Sequence, residues 1–142
     1  MTIESIGQPL RLANGETVPL SAAIRAGDFI FVSGQLGIDD QGRLVAPDIA
    51  GQVRQCIERI RGILAQAGAG LDAVIKATAW LTEPSDFAAF NAAYREFFPE
   101  RPPARSTVVS ALLIPGARVE IEAVAYIERP RSRHSAHSRS AH

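Results

Sequence analysis

A chain of 142 residues, 46% hydrophobic and 21% charged, has the length of one domain and enough apolar side chain for a core, which excludes wholesale disorder. Lysine plus arginine and aspartate plus glutamate both total 15, but four of the arginines lie at or beyond Arg129, leaving residues 1–128 with 11 bases against 15 acids. Such a body lacks the clustered cations that binding to a nucleic-acid backbone requires, so nucleic acid is not an expected partner.

No apolar run approaches the roughly 20 residues of a membrane span, and Met1 to Gly7 has no basic region leading into an apolar stretch. The expected setting is cytoplasmic, away from membranes. Cys56, the single cysteine, cannot form an internal disulfide and reads as a core thiol.

Along the chain, Val18–Ile24 and Asp28–Val32 are apolar stretches separated by Arg25-Ala26-Gly27, the pattern of a β-hairpin. Ser33-Gly34-Gln35 follows, and a glycine at a strand end marks a bulge or a close approach of backbone. Asp39 to Gly42 supplies a further turn. Ile49, Val53, Ile57, Ile60, Leu64 and Ala67 then recur at helical spacing, bounded by Pro47-Asp48 before and Gly68 and Gly70 after.

Val74 to Thr82 is rich in β-branched and aromatic residues and reads as a strand. Pro84 opens a second helix, with Phe87, Phe90, Tyr94 and Phe97 as a stripe that belongs to the core. Pro99 stops it, and Pro102-Pro103 forces an extended entry into the strand Arg105–Val109. In Val119–Ile127 the residues Val119, Ile121, Ala123 and Ala125 share one face and Glu120 and Glu122 the other.

The order β-β-α-β-α-β-β predicts an α+β domain over residues 1–128, a mixed sheet with two helices on one face. The other face needs a cover, for which a second subunit is the natural candidate. Residues 129–142 form a basic Ser/Arg/His/Ala-rich segment without apolar periodicity, expected to be disordered.

The chemistry narrows by elimination. All three histidines, His134, His137 and His142, fall in that tail, so the body has no histidine for a catalytic triad and no Cys/His cluster for a metal. Nor is there a phosphate-binding glycine loop or dinucleotide fingerprint. Ser33, Gly34, Asn91, Arg105, Thr107, Glu120 and Glu122 remain, a set suited to binding an anion and positioning a water. On composition alone Arg105 reads as a surface ion-pair partner and Glu120 as a solvated strand residue.

Four segments, Val32-Ser33-Gly34-Gln35, Phe90-Asn91-Ala92-Ala93-Tyr94, Pro103-Ala104-Arg105-Ser106 and Val119-Glu120-Ile121-Glu122-Ala123, resemble in order and separation the RidA/YjgF family of reactive intermediate deaminases. The resemblance runs from about Pro19 to Ile127. It implies a chorismate-mutase-like (YjgF-like) fold, a homotrimer with active sites between subunits, and hydrolysis of small enamine/imine acids of the 2-iminobutanoate and 2-iminopropanoate type to 2-oxo acids and ammonia, without a cofactor.

On that resemblance Arg105 holds the substrate carboxylate and Glu120 positions the attacking water. Gly34 and Thr107 line the cleft, with Ser33 beside them and Asn91 close by. Leu20 stands where RidA proper has a tyrosine, and Thr107 where the family often has a cysteine, which points to a Rid subgroup with a different substrate range. The competing readings are a trimeric carboxylate-binding or regulatory protein without turnover, and a related amidohydrolase acting on carbamate- or aminomuconate-type substrates. A ribonuclease fits poorly with an acidic body lacking histidine.

Overall fold

A computed structural model describes residues 2–129, a six-stranded mixed sheet with two helices packed on one face. The strands are β1 (Ile3–Ile6), β2 (Ala23–Ala26), β3 (Phe29–Leu36), β4 (Val74–Leu81), β5 (Ala104–Val109) and β6 (Val119–Tyr126). Helix α1 spans Ile49–Ala65 and α2 spans Phe87–Arg95. Across the sheet the order is β1-β2-β3-β6-β4-β5, every pair antiparallel except β4 with β5. That parallel pair is joined through α2, as a crossover requires.

The hairpin forms, but its ladder is shorter at the front than the apolar pattern predicts. Ala26 pairs with Phe29 around Gly27-Asp28, with Gly27 at φ +61. Val18 to Ala22 instead serves an irregular N-terminal loop, Val18 N–H donating to Leu10 O at 2.8 Å. Strand β1 has no signature in the sequence, because its side chains are mostly exposed and carry no alternation. Arg129, expected at the head of the tail, is tied to the body by an ion pair with Glu4 and a 3.1 Å bond from its N–H to Asp28 Oδ1. The rest of that tail lies outside the described residues.

Helix α1 begins where Asp48 caps it, Oδ2 accepting from Gly51 N–H at 2.9 Å, and ends before Gly68 at φ +74. Its buried face, including Val53, Ile57, Ile60 and Leu64, packs on Val119, Ile121, Ala123 and Ala125 of β6 in one core cluster. Cys56 lies in that core, its thiol pushed up by desolvation and directed to Val119 O at 3.9 Å, so it is a structural thiol. Helix α2 stops at Arg95, earlier than its aromatic stripe suggests. Phe98 supplies the last buried ring while Phe97 is half-buried under Arg61, 5.3 Å from the ring centre.

Across the sheet, alternation leaves an uncovered face. Phe29 and Phe31 on β3, Tyr126 on β6 and Val108 on β5 are exposed there. Glu120 and Glu122 alternate onto that same face, as the sequence pattern predicts.

Candidate functional site

Arg105 enters β5 two residues after Pro103 and lies opposite Ala77 of β4, whose side chain is buried under the helices. Its side chain therefore turns toward α2. There Asn91 Oδ1 accepts from a terminal nitrogen of Arg105 at 2.8 Å, and the guanidinium lies 4.9 Å from the Phe90 ring centre, 4.7 Å from Tyr94 and 5.9 Å from Phe87. A delocalised cation stacked on aromatic faces and held by one amide keeps its fork fixed and its other donors available. No carboxylate pairs with Arg105 among the described residues.

A cavity of about 400 Å³ opens beside it, lined by Asn91, Tyr94, Arg95, Phe98, Pro102, Pro103 and Arg105. The lining holds two arginines and no acid. Tyr94 is 5% exposed, and its buried hydroxyl lies beside Arg105 without a well-formed hydrogen bond. Burial pushes the phenol above its ordinary range, and the charge and the nearby donors of Arg105 oppose that. The sequence marks the aromatic stripe as core, which it is, but the same rings also cradle Arg105. The signal available was Asn91 set inside that stripe, three residues before Tyr94.

Glu120 belongs to a second constellation. Between Val32 and Gln35 the pairing of β3 with β6 shifts register, so Ser33-Gly34 forms the bulge that the glycine foretold. Gly34 has no side chain because Glu120 fills its place: a β-carbon there would stand 2.1 Å from Glu120 Oε2. Desolvation first, and the charge of Glu122 second, hold the Glu120 carboxyl above the usual carboxylate range. Ser33 is engaged locally, its hydroxyl donating to Ser21 O at 2.6 Å. Behind the bulge, Gln35 donates to Ser33 O at 3.0 Å and accepts from Arg59 Nε at 3.1 Å.

The chain thus brings the candidate residues into separate groups. Arg105 and Asn91 meet on the helix side, with Thr107 two residues along the same face of β5. Gly34 and Glu120 meet at the bulge, Glu120 rising from the opposite sheet face. Leu20 lines a different cavity of about 650 Å³, between the N-terminal loop and α1, together with Gln35, Asp39, Asp40 and Arg59. Among the described residues no cluster of three or more His, Cys, Asp or Glu is gathered to hold a metal.

The chain has relatives among known proteins. The family model described as Endoribonuclease L-PSP matches residues 12–127. A RutC family protein of Pyrococcus horikoshii is 46% identical over 111 residues, covering 78% of this chain and 88% of its own. The 2-iminobutanoate/2-iminopropanoate deaminase of Capra hircus is 40% identical over 108 residues, covering 75% and 79%. The crystal structure of E. coli TdcF with bound serine superposes with a TM-score of 0.77 at 32% identity, covering 88% of this chain and 99% of that one. Its fold and sequence together make this chain a member of the Endoribonuclease L-PSP family, the YjgF/Rid proteins.

Proposed function

We propose that the protein is an enamine/imine deaminase, hydrolysing small 2-imino acids to 2-oxo acids and ammonia. The observation that carries this is Arg105, an arginine without a carboxylate partner, held by Asn91 and three aromatic rings at the edge of a cavity. A fixed fork of this kind suits a carboxylate, which takes two charge-assisted hydrogen bonds. Relatives named as imine deaminases and the serine-bound neighbour support the choice of a small α-amino-acid-like ligand.

In this reading Arg105 fixes the acid group, and the enamine tautomerises to the imine. Glu120, as a carboxylate, takes a proton from water as the oxygen attacks the imine carbon. That proton is returned to the nitrogen to complete the carbinolamine, whose hydroxyl then gives up its own proton to the nitrogen as the C–N bond breaks, so that ammonia leaves and the 2-oxo acid remains. An imine is already electrophilic, so orientation and one placed base suffice. Arg105 and Glu120 rise from opposite faces of one chain's sheet. We therefore also propose a homotrimer in which neighbouring subunits complete each site, burying the face that carries Phe29, Phe31 and Val108.

Purified protein should shorten the lifetime of 2-iminobutanoate released by a threonine dehydratase. Arg105→Ala should lose at least about tenfold, the worth of one charge-assisted hydrogen bond. Equal rates for both proteins would sink the proposal. The separation of Arg105 and Glu120 also favours a second reading, acid binding without turnover, which tight 2-oxo acid binding with unchanged imine lifetime would select.

A further inference from the structure

The cavity beside Arg105 holds a second arginine that the anchoring role leaves unused. Arg95 lies in the last turn of α2, four residues beyond Asn91 and therefore on the same side of the helix. It is exposed and forms no ion pair among the described residues. The acid next to it in sequence, Glu96, is engaged by Arg54 at 2.8 Å. Two permanent cations thus face about 400 Å³ of space with no acid in the lining.

A basic residue at a helix C-terminus complements the helix dipole, which alone would account for Arg95. It does not account for a lining in which two arginines have no carboxylate to balance them and the buried Tyr94 hydroxyl, beside Arg105, makes no well-formed hydrogen bond. Buried polar groups are satisfied as a rule, and an exception beside two cations points to a ligand rich in acceptors.

We propose that this pocket selects acids with a second anionic group, so that the preferred substrates are 2-imino dicarboxylates. The inference rests on Arg105 as the carboxylate anchor: Arg105 takes the carboxylate next to the imine and Arg95 the one at the far end of the side chain. Hydrolysis is otherwise unchanged, water oxygen replacing nitrogen at the imine carbon and both carboxylates surviving into a 2-oxo dicarboxylate and ammonium.

The products serve as stable probes. Titrating 2-oxoglutarate and 2-oxobutanoate into the intact protein should show the dianion binding about five- to tenfold tighter, the range between a good exposed ion pair and a charge-assisted hydrogen bond. Arg95→Ala should erase that preference, and Arg95→Glu should invert it. Arg95 is exposed, so neither substitution threatens folding. Equal affinity for the two acids in the wild type, or a preference that survives in Arg95→Ala, overturns the inference. If Arg105→Ala loses both acids while the wild type shows no preference, only the inference falls. If Arg105→Ala binds both as the wild type does, or the wild type binds neither, the anchor falls and the inference with it.

Discussion

The carboxylate of Glu120 occupies the volume that any side chain at position 34 would need, with Oε2 2.1 Å and Cδ 3.0 Å from the site of a Gly34 β-carbon. The glycine is there for room, not for an unusual backbone angle, since Gly34 is not among the positive-φ residues. Gly34→Ala should displace the flexible end of Glu120 at little cost to the fold, within about 1 kcal/mol. Imine hydrolysis should fall about a hundredfold, the scale of a misplaced catalytic group. Thermal melting and kcat measured on the same preparation separate the two effects. Unchanged kcat would mean that the placement of Glu120 is immaterial.

Burial and Glu122 raise the Glu120 carboxyl, and the sign of the consequence follows. A carboxyl whose folded pKa is raised binds its proton more tightly folded than unfolded. It costs nothing below the unfolded value, and its cost grows as pH rises through the folded one. Glu120→Gln should therefore raise the melting temperature at about pH 7 and leave it nearly unchanged at about pH 3.5, below the ordinary glutamate range. The acid limb of the activity profile should report the same group, falling as pH drops through the raised pKa. Glu122→Gln should move that limb to lower pH.

What the sequence made legible was local. Asp48 and Gly68 bracket α1 because capping and left-handed exits are decided by neighbours along the chain. Pro102-Pro103 likewise announces the strand of Arg105. Strand β1 escaped because exposed Ile3-Glu4-Ser5-Ile6 is a strand only through its pairing with Ala23–Ala26. The site was half legible for the same reason. Asn91 and Arg105 could be named from motifs and the face of Glu120 from alternation, but which face of β5 Arg105 takes depends on its pairing with β4, which no local pattern encodes. Tyr94 was hidden inside a stripe whose spacing says only that it is core.

Tyr94 carries a buried hydroxyl without a well-formed hydrogen bond, and its ring packs 5.4 Å from Phe90 and 4.8 Å from Phe98, centre to centre. Tyr94→Phe keeps the rings and the stacking surface under Arg105 while removing a group whose desolvation is poorly compensated, a cost of about 1 kcal/mol. The ligand-free variant should melt at a higher temperature than the wild type. A lower melting temperature would show that the hydroxyl has a partner in solution.

Gln52 is fully buried in α1 and uses its whole amide. Nε2 donates to Ala46 O at 3.0 Å and Gly116 O at 3.1 Å, and Oε1 accepts from Arg118 N–H at 2.8 Å. The last bond fixes the backbone one residue before β6 begins, two before Glu120. Gln52→Leu fills a similar volume but leaves the part-buried Ala46 and Gly116 carbonyls and the Arg118 N–H without their partner, so it should destabilise the protein by about 2–3 kcal/mol. Gln55→Ala, which gives up one bond to Ile38 O at 2.8 Å from a less buried position, should stay within about 1 kcal/mol. Chemical denaturation of the two variants side by side checks the contrast. If Gln52→Leu is as mild as Gln55→Ala, the sheet ladder alone sets the start of β6, and Glu120 owes its placement to β3 and β4 and not to the helix.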